Sequence, residues 1–121
     1  MWWALAAPLM LSGCADPKTL VAVHLESCEA GEPIARVELE VFPPLRILPS
    51  FPKDSSITDS NGNARLRIPT GDRPWQCTFW YRCSHFNALF NADLAEPLEF
   101  HLTAQDDPKT CVRVIFDVLK R

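Results

Sequence analysis

The sequence lacks the patterns that mark nucleic-acid-binding proteins and the common motif-bearing enzymes. Its 12 Lys and Arg residues are outnumbered by 15 Asp and Glu, and no stretch clusters the basic ones. Because a phosphate backbone is neutralised by clustered positive charge, we expect no nucleic-acid partner. Neither a Gly-x-Ser-x-Gly sequence nor a phosphate-binding glycine loop occurs, so we expect no catalytic site and no cofactor.

The amino terminus has too few consecutive apolar residues for a membrane span. Residues 2–11 read WWALAAPLML, a run without a charged side chain. A membrane-spanning helix needs about 20 apolar residues, whereas the apolar region of a signal peptide has about 7 to 15. The run therefore predicts an export signal rather than a transmembrane anchor.

The tetrapeptide Leu11-Ser12-Gly13-Cys14 resembles the lipobox of bacterial lipoproteins. In that class the signal peptide is cut before the cysteine, whose thiol then carries diacylglycerol. The resemblance implies a protein of the cell envelope, with the membrane as its partner through the lipid on Cys14. Ala15 follows the cysteine where an aspartate would signal retention, and by resemblance to enterobacterial sorting this favours the outer membrane over the inner one.

Two other interpretations of this segment stay open. In the first, the segment is an ordinary signal peptide and Cys14 only lies near its cleavage site. In the second, the apolar residues form a hydrophobic N-terminal strand. The segment also departs from the lipoprotein pattern, because no Lys or Arg precedes the apolar run. A start codon further upstream would account for that difference.

Cleavage before Cys14 divides the chain into three parts. Residues 1–13 are the expected signal peptide, 14–18 a short tether, and 19–121 a folded domain. A chain of this size has room for one domain and not for two.

Four further cysteines, Cys28, Cys77, Cys83 and Cys111, lie in this domain. An even number in a small exported domain predicts two disulfides, and the lack of a Cys-x-x-Cys pair argues against a metal site, the rival interpretation. If residues 75–83 form one strand, Cys77 and Cys83 lie roughly 20 Å apart, well beyond the reach of a disulfide. Each of the two is then expected to pair with Cys28 or Cys111.

Apolar residues alternate with polar ones in five segments, which is the period of a half-buried β-strand. Residues 75–83, rich in strand-forming side chains, add a sixth. Turn-forming sequences separate the segments, so we expect an all-β fold, an immunoglobulin-like β-sandwich of about six to seven strands stapled by disulfides. Residues 84–96 are expected to form a loop with one helical turn, because their apolar residues fall at helical spacing. The alternating apolar positions are Val21, Val23, Leu25, Val37, Leu39, Val41, Ala64, Leu66, Ile68, Leu98, Phe100, Leu102, Val112, Val114, Phe116 and Val118.

Two segments resemble the carboxypeptidase regulatory-like family, GEPIARVELEV at 31–41 and TDSNGNARLRIP at 58–69. The family's signature is a Gly-x-Pro-hydrophobic turn into one strand and Thr-Asp-x-x-Gly into another. In the second motif, Gly62 is able to take positive φ and the Asp59 side chain is able to cap the turn. The resemblance spans roughly residues 19–104 and implies a transthyretin-like β-sandwich with a binding or structural role and no chemistry of its own.

The proline-rich segment at 43–52 is the first candidate binding surface. Its four prolines cannot donate to a β-ladder, so we expect a stiff extended loop or edge. The segment also carries Leu45, Ile47, Leu48 and Phe51. These side chains either fold back over the end of the sandwich or remain exposed as a docking patch for an envelope protein.

Trp80 and Arg82 are the second candidate. Both point away from the cysteine-bearing face of the predicted strand, and Trp and Arg are enriched at binding hot spots. The alternative is an inert surface patch beneath the segment at 84–96.

Two further sets of residues suggest chemistry only weakly. Asp59, Asn61 and Asn63 repeat the first ligands of a calcium loop, but alanine and threonine occupy the later positions that require glycine and glutamate, so we expect a structural turn and no metal. His24 and His101 lie on predicted outward faces, and a small hydrolase would need a concave pocket where a histidine meets a carboxylate.

The leading hypothesis is a lipid-anchored, non-catalytic module. The alternative is an accessory lipoprotein of a secretion or envelope complex that docks through 43–52.

Overall fold

The computed structural model describes residues 18–43, 51–71 and 73–119. Within them the chain forms eight β-strands and no helix. Sheet A has the order β4-β1-β8-β7 and sheet B the order β3-β2-β5-β6. The all-β sandwich predicted from the alternation is confirmed, with one strand more than the expected six to seven. The strands are β1 (Lys18–Ser27), β2 (Glu38–Phe42), β3 (Asp54–Ile57), β4 (Asn63–Pro69), β5 (Pro74–Tyr81), β6 (Ser84–Asn91), β7 (Leu98–Thr103) and β8 (Cys111–Val118).

The core lies between the inner faces of the two sheets. Every neighbouring pair of strands is antiparallel, so alternate side chains of each strand point inward. Phe90 of β6 stacks on Phe116 of β8 with ring centroids 4.2 Å apart, which joins sheet B to sheet A at the centre. Burial of such aromatic and branched side chains supplies most of the stabilising free energy of a sandwich.

The prediction of a loop at residues 84–96 was wrong for most of its length, because 84–91 form β6. Phe86, Ala88 and Phe90 are buried at period two, as in any half-buried strand. Leu89 lies on the solvent face between two of them, and its apolar side chain produced the helical spacing. Pairing with β5 holds residues 84–91 as a strand rather than a loop, since the two strands pair over their full lengths.

No alternating apolar pattern in the sequence predicts β3. It spans four residues, DSSI, and has one large apolar side chain, Ile57, which is exposed. Its pairing with β2 holds the chain in an extended conformation at the edge of sheet B. A strand this short and polar depends on its neighbour rather than on its own pattern.

The predicted pairing of the cysteines was also wrong. The structure has a disulfide between Cys28 and Cys111, with Cα atoms 5.4 Å apart, while Cys77 and Cys83 are free thiols. Cys28 follows β1 and Cys111 begins β8, and these antiparallel neighbours place the two cysteines side by side. Cys77 packs in the core of sheet B and Cys83 lies in the turn after β5, so the strand between them separates them as expected.

The two family-like segments meet at the end of β1. The Leu25 N–H donates to the Gly62 carbonyl at 2.9 Å, and the Ile34 N–H donates to the Leu25 carbonyl at 3.0 Å. The buried Thr58 adds a second link, because its hydroxyl accepts the Val37 N–H at 3.0 Å. The turn of one segment is therefore bound directly to the strand entry of the other.

Several predicted features lie outside the described residues. These are the signal peptide, Cys14, and three of the four apolar residues in the proline-rich segment, namely Leu45, Ile47 and Leu48.

Replacing Gly62 by alanine should destabilise the fold strongly. Gly62 has φ +79, and a Cβ there would lie 2.4 Å from the Leu25 carbonyl oxygen. Gly31→Ala is the matched control, because Gly31 has φ +66 but its Cβ would meet nothing closer than 3.5 Å. Urea unfolding should show a loss of about 1 to 2 kcal/mol for Gly31→Ala from the left-handed backbone alone, and about 3 kcal/mol or more for Gly62→Ala. Equal losses would contradict the steric explanation.

Disulfide mapping should find one bridge in this domain, Cys28 to Cys111. In the native protein an alkylating reagent should label Cys83 and spare Cys77 until unfolding, because burial raises the pKa of the Cys77 thiol to about 12. Cys111→Ser should lower the free energy of unfolding by about 2 to 5 kcal/mol, whereas Cys83→Ser should leave it nearly unchanged. A peptide linking Cys77 or Cys83 to Cys28 would contradict the observed pairing.

Candidate functional site

Trp80 lies in the open on the outer face of sheet B. Its side chain is 66% exposed and stacks against the His85 imidazole, with ring centroids 4.8 Å apart and planes tilted by 52°. The residue was predicted as a binding candidate, and its exposure is what that prediction requires. Tryptophan is enriched at binding hot spots, so an exposed one is a candidate contact residue.

Trp80 belongs to a row that crosses all four strands of sheet B. The register pairs Glu38 with Ile57 and Trp80 with His85, and continuation of the β2–β5 register places Glu38 beside Trp80. All four side chains are exposed, Ile57 at 60%. We call this row of Ile57, Glu38, Trp80 and His85 the Trp80 row. It combines two apolar groups, a carboxylate and an imidazole on one face of the sheet.

The sequence did not indicate which residues lie beside Trp80 in the row. His85 fell in the segment expected to be a loop, and Ile57 in a strand that had no signal. The apolar residues Phe86, Ala88 and Phe90 alternate at period two in the sequence. That pattern would have predicted a strand with His85 on its outer face. Glu38 alternates with the apolar Val37 and Leu39, which predicts that it faces outward, but alternation does not indicate which strands lie beside it.

Arg82 does not extend the Trp80 row. It occupies the two-residue turn between β5 and β6 together with Cys83, with φ of 50° and 64° respectively. Such a turn matches the twist of a hairpin and normally carries asparagine or glycine. The Arg82 guanidinium instead lies over the Tyr81 ring at 5.2 Å, a cation–π contact within the hairpin.

Phe51 is the described apolar member of the proline-rich segment. Its side chain is 93% exposed, so this residue does not cover the end of the sandwich. Of the two expectations for the segment, Phe51 by itself agrees with the docking patch.

A cleft of about 700 Å³ lies between β6 and β7, at the side of the sandwich where both sheets end. Its lining includes Cys83, Ser84, His85, His101 and Asp106. The Ser84 hydroxyl donates to Asp106 at 3.2 Å, and the His101 Nε2 lies 2.7 Å from a Glu99 oxygen. In a nucleophilic site the hydroxyl or thiol would contact a histidine instead. In this cleft the Ser84 hydroxyl pairs with Asp106 instead, and the His101 imidazole pairs with Glu99.

A chain of ion pairs crosses the outer face of sheet A. Arg113 contacts Glu26 at 3.0 Å and Glu99 at 2.9 Å, and Glu99 contacts His101. His24 lies 3.9 Å from Glu26 and 2.7 Å from the Asn63 side-chain oxygen. Both histidines that were hydrolase candidates are therefore members of surface pairs on a sheet face.

The ion-pair contacts on sheet A shift the pKa values of Glu99 and Arg113. The hydrogen bond from Arg113, followed by that of His101, holds the pKa of Glu99 below its usual range. The same contact with Glu99 raises the pKa of Arg113. The pair of Glu99 and His101 is solvent-exposed and the pair of Arg113 and Glu99 partly so, so each contributes little to stability and is weakened by salt.

The Asp59 turn is structural, as predicted. Its carboxylate accepts the N–H groups of Asn61 and Asn63 at 2.8 and 3.0 Å. The backbone hydrogen bonds from Asn63 and then Asn61 lower the pKa of Asp59. The carboxylate is thus used to close the turn that places Gly62 against β1.

Residues 18–43, 51–71 and 73–119 contain neither a metal-binding cluster nor a membrane-spanning helix. No group of three or more His, Cys, Asp or Glu side chains is arranged to hold a metal ion. No helix in that part of the chain is long and apolar enough to cross a membrane.

Comparison of the chain with protein-family models, with curated proteins and with solved structures found no match.

Removing the Glu99 carboxylate should change how stability responds to acid. Because the folded pKa of Glu99 lies below the unfolded one, its contribution is present at neutral pH and is lost as pH falls through the folded value. The melting temperature of Glu99→Gln should therefore lie below that of the wild type at pH 7, and the two should converge in acid. Glu96→Gln, an exposed carboxylate outside the charged row, is the control and should follow the wild type at both pH values. A constant difference at all pH values would contradict the ion-pair explanation.

Proposed function

We propose that this chain is a lipid-anchored protein of the bacterial cell envelope whose β-sandwich serves as a non-catalytic binding or structural module. The observation that carries the proposal is the exposed Trp80, which contacts the His85 ring on the outer face of sheet B. A tryptophan positioned in this way provides a large rigid contact area at little cost in side-chain entropy.

The amino-terminal sequence supports the anchoring part of the proposal. An apolar run of signal-peptide length is followed by Leu11-Ser12-Gly13-Cys14, which resembles the lipobox of lipidated proteins. Several acyl chains on one cysteine would hold the domain stably, since each buried methylene contributes about 0.8 kcal/mol. The outer membrane is the expected location.

The junction at Gly62 supports membership of the carboxypeptidase regulatory-like group. The segments at 31–41 and 58–69, which resemble that family, contact each other through backbone hydrogen bonds at Leu25, and the glycine of the second segment has the positive φ that the motif implies. Members of that group are usually non-catalytic modules, which agrees with the proposed role.

A second candidate is an accessory lipoprotein of a secretion or envelope complex that docks through residues 43–52. The specific observation in its favour is Phe51, whose side chain is almost fully exposed. The two candidates differ in the surface used, because Phe51 lies outside the Trp80 row.

A small hydrolase is the weakest of the three hypotheses. It would need a nucleophile within reach of a histidine base, and the Ser84 hydroxyl donates to Asp106 instead. The contacts of His24 and His101 with Glu26 and Glu99 favour a surface role for both.

One experiment in a bacterial host tests both parts of the proposal. The intact mass of the wild type should begin at Cys14 and include diacylglycerol, and Cys14→Ala should lose the lipid and leave the membrane fraction. A photo-crosslinking amino acid at position 80 should then capture an envelope component, while the same group at the exposed position 65 of β4, on the other sheet, should not.

The outcomes separate the candidates. Capture from position 51 and not from 80 would favour the accessory lipoprotein. An uncut and unlipidated chain would contradict the envelope assignment, and equal capture from positions 80 and 65 would contradict a specific Trp80 surface.

A further inference from the structure

The four edges of the two sheets are not equally protected against pairing with another strand. β3 is only four residues long. β4 is partly capped, because the Arg67 N–H donates to the Asp54 carboxylate across the gap between the sheets. β7 carries the charged pair of Glu99 and His101. Short length, capping and charge are the devices by which proteins prevent edge-to-edge association.

β6 has none of these devices. It runs for eight residues, SHFNALFN, without a proline, lysine, arginine, aspartate or glutamate. It pairs with β5 on one side, and among the described residues no strand pairs with its other side. An edge of this length and composition is a template for strand addition.

The hairpin geometry shows which β6 residues offer hydrogen bonds to a new strand. The two-residue turn makes Tyr81 and Ser84 the first hydrogen-bonded pair, and hydrogen-bonded and open pairs alternate from there. Pro74, which has no N–H, falls opposite Asn91 at an open pair, as this alternation requires. The outward N–H and C=O groups therefore belong to His85, Asn87, Leu89 and Asn91.

The side chains of these residues match a second copy of the same strand. If two β6 strands pair antiparallel about a two-fold axis at Asn87, the two Asn87 amides meet, and each His85 lies opposite the Leu89 of the partner. Like charges directly opposite each other would destabilise such a pair, and this register brings none together. Leu89, 53% exposed in the monomer, would then pack beside the imidazole that stacks on Trp80.

We propose that two copies of this chain associate through antiparallel β6–β6 pairing centred on Asn87, joining two sheets B into one continuous sheet. The pairing would form about six backbone hydrogen bonds, two for each of the three pairs that involve residues 85, 87 and 89. It would also bring the exposed Leu89 of each copy to the exposed Trp80 row of the other. The inference does not depend on the lipid anchor or on the binding role.

Cross-linking at the axis tests the register directly. Across a hydrogen-bonded antiparallel pair the Cα atoms lie about 5.5 Å apart, within the range of a disulfide. The full chain would carry Cys83→Ser, which removes the exposed thiol of the described residues, and Cys14→Ser, which removes the amino-terminal thiol. It would then carry either Asn87→Cys or the control Ser55→Cys on the β3 edge. After oxidation with copper phenanthroline, Asn87→Cys should run as a covalent dimer on a non-reducing gel and Ser55→Cys should not.

A second variant guards against an effect of the cysteine itself. Leu89→Lys places a charge on the outer face opposite His85 of the partner and should lower the yield of the Asn87→Cys dimer by about tenfold, since two symmetry-related pairs are lost. An unchanged circular dichroism spectrum and melting temperature would show that the variant folds.

Three results would overturn the proposal. They are equal cross-linking of the Asn87→Cys and Ser55→Cys chains, no dimer from Asn87→Cys, or a cross-link from position 87 to a different protein. The first would indicate random collision, and the third would assign the edge to another partner. Each is distinct from failure of lipidation, which is measured by mass.

Discussion

The backbone of Leu25 holds together parts of the chain that are far apart in sequence. Its N–H binds the turn at Gly62, its carbonyl binds Ile34, and its side chain is fully buried between the sheets. In the same strand, the register with β8 places Leu25 opposite Val114. The contact is possible because Gly62 lacks a Cβ, so the turn is able to approach the strand closely. Sheet A, the entry into β2 and the turn before β4 all depend on this approach.

The disulfide reinforces the same end of the molecule. Cys28 lies just beyond the last residues of β1, and Cys111 opens β8, so the bridge closes the carboxyl end of the first strand onto the last one. A cross-link between residues 83 positions apart restricts the unfolded chain strongly. Cys77, by contrast, serves as a small apolar side chain in the core. The four cysteines of the described residues therefore divide into one structural pair, one packing residue and one exposed thiol.

The outer faces of the two sheets have different chemistry. Sheet A presents a chain of ion pairs formed by Glu26, Arg113, Glu99 and His101. Sheet B presents the Trp80 row, where the apolar side chains of Trp80 and Ile57 are left exposed. The open edge of β6 adjoins that same face. Surface that is apolar and unpaired remains available for contact, whereas the charged row already has its partners.

The sequence by itself determined the strands that alternate cleanly, the turns between them and the sandwich class, because period two and turn chemistry are local properties of the chain. It also determined the role of Asp59 and the outward position of Trp80, since both follow from short-range geometry. Only the tertiary structure decided that Cys28 meets Cys111, that residues 84–91 form a strand and that His85 and Ile57 join Trp80. Those outcomes depend on which strands become neighbours, and neighbours far apart in sequence are chosen by burial and register across the whole domain rather than by any one segment.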